Sequence, residues 1–229
     1  MYLRFKLFCL FCCSLLTLPS QADELLFSHS GHPVSKTVLI PLLQQIYGEL
    51  GYQLSFQEAE GARAIKLLND GVVDGDVGRL APILHSLDTA MPAILLDSVS
   101  VVLYCRSELP CRHDVLDDAR ARILIPTQDA TLQLLTREIK AKPYFNNDWD
   151  GIITMFNAGK IDYLLWIESR LLTPPTFAHA NKTATRIGPF KLYHILHSRH
   201  QALFEPVSSQ LKLHLAHLTD SAGPNTAQQ

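Results

Sequence analysis

Arg79 is the residue in this sequence best suited to holding a small anion. It ends the stretch NDGVVDGDVGRL, Asn69 to Leu80, which also contains Asp74 and Asp76. A guanidinium is planar, permanently charged and able to grip a carboxylate through two parallel hydrogen bonds. A second stretch, NAGKIDYLLWIE from Asn157 to Glu168, repeats the order Asn, Gly, Val or Ile, Asp, but without the arginine. Asp74 and Asp162 are therefore equivalent. A feature present in both copies reads as scaffold, so each aspartate is expected to accept backbone N–H groups at a strand entrance. The differences are more informative. Counted from the shared aspartate, Asp76 corresponds to Leu164 and Arg79 to Ile167, and the second copy adds Tyr163 and Trp166. This predicts a cleft with one charged and one aromatic wall. Tyr163 and Trp166 fall on opposite faces of a strand, so only one can face the cleft.

Other chemistries find little support. Asp74 and Asp76 form a carboxylate pair, which can do acid–base work, but Asp74 already has a scaffold explanation. No nucleophile elbow, P-loop, dinucleotide fingerprint or HExxH motif occurs. Neither catalytic residues nor a cofactor are expected. His194, His197 and His200 recur every third residue, and His214 and His217 share a helix face. Zinc needs three or four converging ligands, and strand and helix separate these histidines, so no metal site is expected. A net charge of −2 without a basic run argues against nucleic acid.

The elements that position these residues alternate. Arg4 and Lys6, the apolar stretch Leu7 to Leu18 and Ser20-Gln21-Ala22 predict a secretory signal over 1–22, cleaved before Asp23. The exported chain then keeps two cysteines, Cys105 and Cys111, expected to form a disulfide in an oxidising compartment. Leu25–Ser28 reads as a strand. Leu39 to Leu50 has helical spacing, with Pro41 in its first turn and Gly51 as its stop. The segment YQLSFQE alternates like a strand, Ala62 to Leu68 marks a helix capped by Gly71, and Val72–Val77 returns as a strand. Ala93–Arg106 is one long β-rich run, able to cross between lobes. The alternation resumes with a strand at Ala121–Ile125, helices at Thr131–Lys140 and Trp149–Asn157, and strands at Ile161–Ile167 and Phe190–Leu196. Ser198 and Gln201 have capping-box spacing for a terminal helix interrupted at Pro206.

Four stretches then carry a resemblance: ARAIKLLNDGVVDGDVGRL, AMPAILLD, ARILIPTQDATLQLL and FNAGKIDYLLW. Together with the signal and the long crossing strand, they resemble periplasmic solute-binding proteins of the type II class, bacterial family 3, which includes polar amino-acid binders of ABC transporters. The resemblance spans most of residues 24–218. It implies an α/β fold of two lobes, each a mixed, mainly parallel sheet flanked by helices, with two crossover strands as hinge. The expected partition is 23–97 plus 195–218 for the first lobe, 98–194 for the second and a disordered tail over 219–229. It implies a monomer without chemistry of its own that closes on a small solute and delivers it to an ABC permease or a membrane sensor. In such binders an arginine at the Arg79 position holds the ligand carboxylate, and the start of the second-lobe helix, here Thr127, Gln128 and Thr131, receives it. Asp76, Ser30 and Trp166 complete the expected ligand-binding set. One departure stands out: where an acid usually meets the ligand ammonium, this chain has Ile167, with Glu168 one residue beyond. A one-residue offset in a strand reverses the face. Two alternatives remain open, an exported dehydratase-like enzyme on the same scaffold and a sensory or structural protein with an empty cleft.

Overall fold

The computed structural model describes residues 23–126, 132, 136–137, 139–185 and 188–221. The signal segment, Thr127, Gln128, Thr131 and residues 222–229 lie outside the described residues.

Among the described residues nine strands carry the fold: β1 (Asp23–His29), β2 (Tyr52–Glu58), β3 (Gly75–Leu80), β4 (Ala90–Arg106), β5 (Arg122–Ile125), β6 (Lys142–Phe145), β7 (Tyr163–Glu168), β8 (Ala180–Ala184) and β9 (Phe190–His197). The helices are α1 (Ile40–Glu49), α2 (Gly61–Asn69), α3 (Trp149–Asn157) and α4 (Phe204–Ser221). The strands join in the order β2-β1-β3-β9-β4-β7-β5-β6, with β8 also on β4. This path is continuous only because β4 belongs to two sheets. Its first part, Ala90–Val99, pairs with β9, and its second part, from Ser100 on, pairs with β7 and β8. The long apolar run predicted as a crossing is this shared strand.

The pairing is less parallel than expected. β1 lies parallel to β2 and β3, and β5 parallel to β6 and β7, but β4 and β9 make only antiparallel pairs. Both crossing strands run against their neighbours, so parallel and antiparallel pairings are balanced. β9 pairs with Ile94–Val99 and with Leu80 from its first residues onward, so the expected lobe boundary at residue 194 falls inside one strand.

Each sheet buries its own core. The first packs Phe27, Leu39, Leu43, Ile46, Val77 and Leu196 between the sheet, α1 and α4. The second sheet is covered on both faces, by Leu103, Ile123 and Leu165 on one and by Trp149, Ile152, Phe156 and Trp166 on the other. Tyr163 packs with the first of these groups and Trp166 with the second, as their spacing requires.

The helix exits follow the sequence. Gly51, Gly71 and Gly159 have φ of +87°, +67° and +70°, a region that favours glycine. Asp74 accepts the Leu26 N–H at 2.8 Å, as expected of a strand entrance. Asp162 behaves differently, its carboxylate pairing with Arg106 at 3.0 Å near the surface. At the C-terminus, Pro206 sits in the first turn of α4, where its missing N–H breaks no helical bond, and the helix runs on to Ser221, into the predicted tail. The preceding turn is capped by His197, whose ring accepts the Arg199 N–H, rather than by Ser198.

Cys105 and Cys111 are bonded, with Cα atoms 5.5 Å apart, where β4 leaves the second sheet. Closing so short a loop stabilises mainly by limiting the unfolded chain. Replacing both cysteines with serine is expected to cost about 2 kcal/mol, visible as a lower urea midpoint. An unchanged midpoint would contradict this.

Candidate functional site

Where β4 changes sheets, a cavity of about 60 Å³ opens, roomy enough to hold water. Arg79, Gly78 and Leu80 of β3 form one side, with Ser30, His32 and Ser35 from the chain that follows β1 and Glu60 just before α2. Trp149 of α3, Ile167 of β7 and Ser169 form the other side. Arg79 and Ile167, matched by counting along the two repeated phrases, thus face the same space from different sheets.

Arg79 is 2% exposed and Asp76 wholly buried. The guanidinium donates to Asp76 Oδ2 from Nε at 2.9 Å and to the Ala59 carbonyl from Nη2 at 2.8 Å. Asp76 also accepts the Ser28 hydroxyl at 2.5 Å and the Gly78 N–H at 2.9 Å. Burial pushes the Asp76 carboxyl above its ordinary range, and the guanidinium, hydroxyl and N–H oppose that shift. Asp76 does not border the cavity. It positions Arg79, which does.

The aromatic wall has two members, and Trp166 lines a smaller cavity beside His32, Ile167 and Ser169. Trp166 packs behind Trp149, ring centroids 5.0 Å apart, and it is Trp149 that lines the main cavity. Asp148 caps α3 by accepting the Gly151 N–H at 3.0 Å and so sets Trp149 at the helix start. The Trp149 indole nitrogen is buried, with no hydrogen-bond partner among the described residues. A Cβ on Gly31 would stand 3.1 Å from it, so the chain after β1 packs closely against the Trp149 ring.

The acids are also rearranged. Glu168 turns away to Tyr104 and Lys182. The cavity carboxylate is Glu60, whose Oε1 accepts the Gly31 N–H at 2.7 Å. Ser30 lines the cavity, its hydroxyl 3.0 Å from that of Ser35. Beneath the site, the buried Asp97 of β4 accepts the Ser169 hydroxyl at 2.6 Å and the Arg170 N–H at 2.9 Å, tying the crossing strand to the exit of β7. An aspartate inside an apolar β run was a visible signal for this lock. Glu60 was visible too, as an acid immediately before a helix. His32 and Trp149 carried no local sign.

The histidines go separate ways. His194 is buried in the first core, 2.9 Å from the Tyr47 hydroxyl, and burial pushes its pKa down to about 4. His200 lies outside it, 2.5 Å from Asp74. Among the described residues no group of three or more His, Cys, Asp or Glu side chains converges as metal ligands would. Among the same residues no helix is long and apolar enough to cross a membrane.

Two sheets sharing a crossing strand, with a cavity at the junction, define the two-lobed periplasmic-binding-protein-like fold. Solved structures bear this out. The GluR0 ligand-binding core in complex with L-glutamate superposes with a TM-score of 0.68 at 12% identity, over 88% of this chain and 98% of that one. The L-arginine-bound amino-acid ABC transporter substrate-binding protein AbpA from Streptococcus pneumoniae superposes at 0.64 and 12% identity, over 87% and 94%. The periplasmic VFT2 domain of BvgS from Bordetella pertussis superposes at 0.56 and 15% identity, over 88% and 94%. No protein-family model and no curated protein sequence matches the chain.

Proposed function

We propose that this chain is a periplasmic solute-binding protein that captures a small, carboxylate-bearing, amino-acid-like solute between its two lobes. The observation that carries the reading is that Arg79 and Glu60 from one sheet share a cavity with Trp149, Ile167 and Ser169 from the other. A cavity at such a junction couples occupancy to closure, since a solute touching both walls favours the closed form. Arg79 receives the carboxylate, prepositioned by Asp76, and Thr127, Gln128 and Thr131 remain candidates for its other side. Glu60 takes the place of the missing acid at Ile167 and faces the ammonium. Trp149, in place of Trp166, covers the apolar part of the solute. The small space and the Ile167 wall favour short side chains over long basic ones.

The supporting likenesses are AbpA, bound to L-arginine, and the GluR0 core, in complex with L-glutamate. With the signal segment they favour export to the periplasm and delivery to an ABC permease or a membrane sensor, with the lobes moving about Ser98–Tyr104 of β4 and Leu192–Leu196 of β9. The test is a thermal-shift screen of amino acids, dicarboxylates and aromatic acids. At ligand a hundredfold above Kd, mass action adds about 2.7 kcal/mol of stability, several degrees in a chain of this size. Arg79→Lys keeps the charge but loses the planar fork, and is expected to weaken the hit at least tenfold. A broad library without a hit, or an equal shift in Arg79→Lys, would count against the proposal.

A further inference from the structure

His32 joins the two walls of the cavity. It follows β1, yet its ring stands 4.7 Å from Trp149 of α3, edge-on, and 6.3 Å from Trp166 of β7, both on the far side of the cavity. Its Nε2 is 3.3 Å from the Ile167 carbonyl oxygen, and its Nδ1 accepts the Val34 N–H at 3.1 Å. These partners set one tautomer. A backbone N–H can only donate, so Nδ1 is bare, and a carbonyl can only accept, so Nε2 carries the hydrogen. An imidazolium would aim a second hydrogen at the Val34 N–H. Protonation therefore requires the ring to leave its place.

We infer that His32 is a proton-sensitive latch, whose neutral ring pins the chain after β1 to the Trp149–Ile167 wall and releases it when protonated. The latch rests on the reading that the lobes close over a solute. The charged groups around it do not stabilise an imidazolium in place. Glu60 before α2 accepts from Gly31, and Arg79 of β3 faces Asp76. Glu168 of β7 is held by Tyr104 and Lys182. Glu58 of β2 pairs with Lys36, and Asp148 caps α3, where Asp150 also lies. Among the described residues neither His32 nitrogen hydrogen-bonds a carboxylate. Desolvation pushes the ring down from 6.5 to about 4, against the smaller opposing effect of the Ile167 carbonyl.

The sign follows directly. Above pH 6.5 the ring is neutral whether the cavity is open or closed, and closure is unaffected. Between 6.5 and about 4 only the open form takes the proton, so closure weakens up to tenfold per pH unit. The limit is about 300-fold, and the remaining solvent contact of the half-buried ring lowers it.

The chain has two tryptophans, and both lie beside His32. Their emission therefore reports the latch without any solute. Titrating the solute-free protein from pH 8 to pH 4 is expected to show an emission change with its midpoint between 4 and 6.5, at constant far-UV circular dichroism. His32→Phe, which fills the space without a proton, and His32→Gln should both abolish it. His194, a fully buried histidine, remains in both variants and lies in the first core, away from the tryptophans. The same transition in the variants, or flat emission in the unaltered protein, would overturn the latch. Flat emission beside an intact solute hit would do so and leave the solute-binding reading standing. A latch transition without any hit would do the reverse.

Discussion

Asp76→Ala is expected to destabilise the protein by about 3–5 kcal/mol, because it strands a buried guanidinium without its carboxylate. Arg79 is 2% exposed and cannot turn to bulk water in place. The loss would also leave the buried Gly78 N–H without the carboxylate oxygen it now reaches and the Ser28 hydroxyl with only the Gly75 carbonyl at 3.4 Å. Urea unfolding at neutral pH measures the effect. Asp76→Ala with Arg79→Leu should recover much of it, since removing both charges also removes their desolvation cost. The double variant should not bind a solute that depends on Arg79. An Asp76→Ala change costing under about 1 kcal/mol would show that the pair is not the anchor described here.

The second large effect is expected from Gly75→Ala. A Cβ there would stand 2.4 Å from the Ile195 carbonyl oxygen and 2.7 Å from the Phe27 ring. The first contact is with backbone, so no rotamer change relieves it. β3 would have to separate from β9, its partner on the path to the crossing strand. The expected loss is about 3 kcal/mol or more, at the upper end for overpacking. Gly78→Ala provides the contrast on the same strand. Its Cβ would meet the ends of the Leu192 and Leu39 side chains at 3.3 Å, which can shift. A cost within about 1 kcal/mol is expected, together with a narrower cavity and weaker solute capture. Equal destabilisation by the two changes would refute this difference.

These effects trace how far the chain could be read in one dimension. The repeated phrase led to the two equivalent strands because glycine at a left-handed exit and apolar alternation are local requirements. It also led to Arg79 opposite Ile167, since strands on the same plan carry matched positions to matched heights. It did not choose between Trp149 and Trp166. Alternation separates the faces of β7, but whether a face meets the cavity or lies under α3 depends on where the helix packs. Nor did it disclose the parallel content: β9 returns antiparallel beside both β3 and β4, and strand direction is not written in side-chain period. β6 and β8 were missed because Lys142–Phe145 and Ala180–Ala184 are mostly exposed edge segments without an apolar signature.

By itself the sequence determined the order of elements, the glycine exits, the crossing strand, the cysteine pair and the placement of Arg79, all of which depend on periodicity or on neighbours along the chain. The tertiary structure alone decided that Asp76 pairs with Arg79 behind the cavity, that Glu60 borders it, and that His32 meets two tryptophans more than a hundred residues away. Those relations arise when separate sheets bring distant loops together, and a carboxylate or an imidazole takes its role from what surrounds it after burial.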